Sequence, residues 1–117
     1  RMNWHKLSHW PEEQLWRGCV LRLLRSEHPY EQPVDLMLME SFSSPSGFAL
    51  WVVTGYHAGC ILRELPESAR CTGNVRAIPC RWLQQNWQTE IYAGCPAGDV
   101  CIIANYPPGI SIQTPAP

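Results

Sequence analysis

Charge is what this 117-residue chain has least of: Asp, Glu, Lys and Arg make up 16% of it, where about a quarter is usual. With a formal net charge of −1, it lacks the basic stripe that nucleic acid or an anionic membrane surface requires. The nine basic residues are scattered, and the densest group is Arg17, Arg22 and Arg25. No apolar run approaches the roughly 20 residues of a membrane-spanning helix. The N-terminal "RMNWHKLSHWPEEQ" has no apolar core of a secretory signal. Arg1 ahead of Met2 reads as a residue added for expression. With Met2 as the native start, nothing directs export and the expected compartment is the cytoplasm.

Motifs of chemistry are missing as well. There is no GxGxxG, Walker loop, nucleophile elbow or His-Glu-x-x-His. No Cys-x-x-Cys offers the short ligand spacing of a structural zinc site, so no metal is expected. The carboxylates Asp35, Glu40, Glu64, Glu67, Glu90 and Asp99 are dispersed along the chain. An acid/base pair must meet in space, and their spacing shows none.

Apolar residues are plentiful at 45%, with six cysteines, six tryptophans and eleven prolines. A chain of this length suits one domain, residues 1–117, and can build a core without staples. In a reducing compartment Cys19, Cys60, Cys71, Cys80, Cys95 and Cys101 are expected as free thiols packed as small hydrophobes. Three disulfides would be the reading if the protein were secreted. Six indoles cannot all be buried in so small a core with partners for their N–H groups. Trp51 and Trp87 are assigned to the core. Trp82 falls roughly opposite the apolar stripe of its segment and is assigned to a face that meets another molecule.

The pattern predicts an α+β fold: a mostly antiparallel sheet of about five strands, one main helix in the C-terminal half packed on it, and a short N-terminal helix. "SHWPEEQLW" starts that short helix, with Ser8 as cap, Pro11 in the first position and Glu12 and Glu13 at the positive end of the dipole. In "LWRGCVLRLLR" the apolar residues fit a helix, yet Gly18 interrupts it; a strand from about Arg17 is the preferred reading and a continuous helix the alternative. "SEHPYEQP" is a loop, bracketed by Pro29 and Pro33. "VDLMLMESF" and "FALWVVT" are strands apolar on both faces, as expected when both sides are covered. The intervening "SSPSG" makes them a hairpin. "CILREL" is the next strand, ended by Pro66. "IPCRWLQQNWQTEIY" is the main helix, with Cys80, Leu83, Trp87 and Ile91 on one face. "DVCIIA" closes the sheet, and about 108–117 form an extended proline-rich tail.

Between two apolar runs lies Thr54-Gly55-Tyr56-His57-Ala58-Gly59. Glycines on both sides permit a tight reversal, and the preferred reading is a hairpin corner with Tyr56 and His57 at its tip. These two rings are also candidates for a contact patch. Read instead as chemistry, His57 would be a general base with Cys60 or Tyr56 as partner.

The stretches "QLWRGCVL" (14–21), "DLMLME" (35–40), "TGYHAGCIL" (54–62), "RWLQQNW" (81–87) and "NYP" (105–107) together resemble the immunity protein 45 family, small bacterial proteins of interbacterial toxin systems. The resemblance spans about residues 3–107. It implies an α+β protein that binds and neutralises a cognate protein toxin, with no catalysis and no cofactor. The toxin would be a nuclease, a nucleotide-modifying enzyme or a nucleotide pyrophosphokinase. Toxin-binding residues are then expected at Tyr56, His57 and Trp82, with Glu64 or Glu67 pairing basic residues of the toxin. The alternatives are a small-molecule-binding or enzymatic domain that uses His57 and nearby thiols, and a secreted disulfide-stapled module.

Overall fold

The computed structural model describes residues 4–27 and 33–106. The expected start at Met2, most of the "SEHPYEQP" loop and the 108–117 tail lie outside the described residues. The chain runs β1 (His5–Lys6), β2 (Gln14–Leu15), β3 (Val20–Leu23), β4 (Val34–Glu40), β5 (Phe48–Val52), β6 (Ile61–Glu64), β7 (Ile78–Pro79), α1 (Cys80–Asn86) and β8 (Val100–Ile103). Six strands form one sheet in the order β1-β8-β3-β4-β5-β6, with every neighbouring pair antiparallel; β2 and β7 form a separate ribbon. The fold is therefore α+β.

The ambiguous segment after Leu15 is a strand. Gly18 adopts φ 91°, a left-handed conformation that a helix interior does not use. The turn it makes is closed by the Cys19 amide donating to the Trp16 carbonyl at 3.2 Å, and β3 follows. The strand begins at Val20 rather than Arg17 because this turn occupies the residues between. The short N-terminal helix is a single 3-10 turn, Leu7–His9, with no side-chain cap. It precedes Pro11, and residues 11–13 are bent rather than helical. The reason lies in tertiary pairing: Leu15 is drawn into register with Ile78 in the β2–β7 ribbon, and there it is fully buried. That ribbon also sets the start of the main helix, whose Cys80 amide donates to the Glu13 carbonyl at 2.8 Å.

The main core lies between one face of the sheet and α1. Cross-strand rows of Leu23–Val34, Ile102–Leu21–Leu36–Val52 and Leu38–Leu50 pave that face. Cys80, Leu83 and Trp87 of the helical segment close over it. The segment keeps α geometry only to Asn86 and widens into a π-helical turn, Trp87–Ile91. Trp87 is completely buried, and its indole N–H donates to the Cys95 carbonyl at 2.9 Å. Trp51 does not join this core. Its strand position is odd where the core rows on β5 are even, so it points to the opposite face, beside Met37 and Ile61. It is half-buried there, and its indole Nε1 is shielded without a hydrogen-bond partner.

That opposite face buries Val20, Ala49 and Ile103. At one end it carries an ion pair between register partners: Arg22 Nε and Nη2 donate to the two carboxylate oxygens of Asp35 at 2.8 and 2.9 Å. The Tyr106 hydroxyl donates to Asp35 Oδ2 at 3.0 Å, and the Arg22 guanidinium lies over the Trp4 ring at 4.4 Å. Asp35 is only 2% exposed. Removing its carboxylate leaves the partly buried guanidinium without its bidentate partner, at a cost we put at about 2 kcal/mol, below the range for fully buried pairs because Arg22 retains solvent contact. Asp35→Ala is expected to lower the denaturation midpoint by that amount in a urea titration. The double variant Asp35→Ala/Arg22→Leu should recover part of the loss, since it leaves no unpaired charge.

Candidate functional site

The reversal between β5 and β6 is built from glycine and threonine chemistry. Gly55 and Gly59 take φ of 81° and 91°, which a residue with a Cβ adopts only with strain. The Gly59 amide donates to the Val52 carbonyl at 2.7 Å, Ala58 to Gly55 at 3.1 Å and Cys60 to His57 at 3.0 Å. Thr54 Oγ1 accepts from the Asp35 amide at 3.0 Å and donates to the Pro33 carbonyl at 3.4 Å, which ties the loop to β4. The outcome is a fixed corner with both rings at its tip, as the sequence predicts. Tyr56 is 89% exposed. Its ring meets that of His57 edge-on, with centroids 5.1 Å apart and planes at 81°.

Beside this corner lies a cleft of about 310 Å³. Its floor is the end of the core, Leu23, Leu36 and Val52; His57, Cys60 and Thr54 stand along it. An apolar floor with a few polar groups at the rim suits an apolar side chain or a small ligand. Sequence reasoning found His57 and Cys60 but not the cleft. Its floor comes from three strands, and only the pairing brings these together.

The other expected site residues lie elsewhere. β6 leads away from the corner, and Glu64 stands at its far end, where it accepts a hydrogen bond from Ser43 Oγ at 2.7 Å. Glu67 is exposed and pairs with Arg70 at 3.6 Å. Trp82 is half-buried against the core, and its indole N–H donates to Ser68 Oγ at 3.2 Å. The structure thus joins Tyr56 with His57 at one end of β6, and places Glu64 at the other end with Glu67, next to the Ser68 that holds Trp82, beyond it.

All six cysteines are free thiols. Burial, and secondarily the neighbouring Cys80, push the Cys19 thiol up to about 12; burial pushes Cys80 up to about 11 and raises Cys71 and Cys95 as well. All four are protonated at neutral pH, and the buried Cys19, Cys80 and Cys95 behave as packed hydrophobes, not nucleophiles. Cys60 is exposed. His5 and His9 stand four residues apart, a spacing that can hold a metal ion. However, no group of three or more His, Cys, Asp or Glu side chains gathers for one among the described residues, and His5 instead packs on the Trp10 ring at 5.4 Å. No helix among the described residues is long and apolar enough to cross a membrane.

Comparison with known proteins decides the relationship. Residues 7–102 match the family described as immunity protein 45. The chain belongs to the immunity protein 45 family. No curated protein and no solved structure matches it. Within the family's matched span lie the corner and the sheet, apart from β1 (His5–Lys6) and Ile103, the last residue of β8. Membership supports an immunity protein with a protein partner.

Thiol labelling tests the burial pattern. Cys60 is expected to react first in the native protein, Cys71 and Cys101 more slowly, and Cys19, Cys80 and Cys95 roughly a thousandfold slower or more, because their labelling requires opening of the core. The raised thiols also set an alkaline limit. The folded values of Cys19 and Cys80 lie above the ordinary 9.0, so their contribution to stability is full below about pH 9. It is lost as pH rises through about 11 to 12. Thermal denaturation midpoints should therefore fall steeply above about pH 9.

Proposed function

We propose that this immunity protein binds a cognate interbacterial toxin in the cytoplasm of the producing cell and neutralises it by covering the toxin's active site, with no catalysis and no cofactor of its own. The observation that carries the reading is the family match over residues 7–102. The geometry supports it: a rigid corner holds Tyr56 and His57 out to solvent beside an apolar cleft. Aromatic side chains held in one conformation bury much area with little loss of entropy, which is why they anchor protein interfaces. A partner of ordinary footprint, about 800 Å² per side, would cover about a tenth of the 7563 Å² surface. Glu64 and Glu67 provide exposed carboxylates for basic groups of the toxin at the margin, and Trp82 provides the exposed part of its ring.

A second reading, a small-molecule or catalytic site, draws on His57 and Cys60 lining one cleft. The two are separable. Co-expression with the cognate toxin is expected to restore growth, and binding should be measurable by calorimetry. Tyr56→Ala should weaken the complex by more than about 1 kcal/mol, roughly fivefold or more in Kd. Cys60→Ser should leave protection intact. Loss of protection by a folded Cys60→Ser variant would favour the chemical reading.

A further inference from the structure

We draw no further inference here: the strongest candidate, the groove at the start of α1 lined by Trp10, Glu12, Glu13 and Gln84, rests on a pair of neighbouring carboxylates, with Arg81 in the same lining and nothing in the structure that points to a ligand.

Discussion

The structure depends on how Trp87 is held. It sits where α1 gives way to a π-helical turn, and it is the one fully buried indole among the described residues. Its N–H reaches the Cys95 carbonyl, so the largest side chain of the core also fastens the segment that feeds β8. β8 lies between β1 and β3. Pairing of β8 therefore joins residues near both ends of the chain, His5 with Ile102 and Val20 with Ile103. A mispacked Trp87 would loosen the helix cover and the strand that closes the sheet at the same time. The wider π turn has a local reason in this: the Tyr92 amide donates back to the Trp87 carbonyl at 2.9 Å, a five-residue return that turns the chain toward Cys95.

The two faces of the sheet do different work. The helix-covered face is almost wholly apolar and supplies most of the burial. The other face combines buried Val20, Ala49 and Ile103 with the Arg22–Asp35 pair. Because Arg22 and Asp35 are directly opposite across β3 and β4, a slip of one residue would separate them and turn a charge toward the core. The pair thus adds register information that a row of leucines does not. The hydrogen bond from Tyr106 extends that constraint to the chain leaving β8.

Much of this was legible in the sequence, and the exceptions share a cause. β4, β5, the hairpin between them and the TGYHAG corner follow from local turn chemistry and alternation. The main helix follows from the spacing of Cys80, Leu83 and Trp87. What was missed are elements of two residues, β1, β2 and β7, which exist only because distant partners supply their hydrogen bonds. The N-terminal helix failed for that reason: Leu15 gains more by pairing with Ile78 than by extending a Pro11-led helix. Trp51 was misassigned because a strand apolar on both faces does not say which face is the core. Of the site, the corner was readable. The cleft beside it was not, since its floor comes from three strands.

The proposed placement of recognition at the β5–β6 corner, and not on the sheet, is consistent with the same constraints. The helix-covered face is closed, and the edge strand β1 is too short to offer a template for another chain. The β5–β6 corner and the Ser41–Gly47 loop are each fixed by backbone hydrogen bonds that do not involve the ring they present. Phe42, wholly exposed, can therefore vary without disturbing the fold, while Thr54, Ser46 and the left-handed glycines keep their positions. On the proposed reading, specificity then resides in the side chains at the tip of the corner, and stability resides in Trp87 and the rows beneath it.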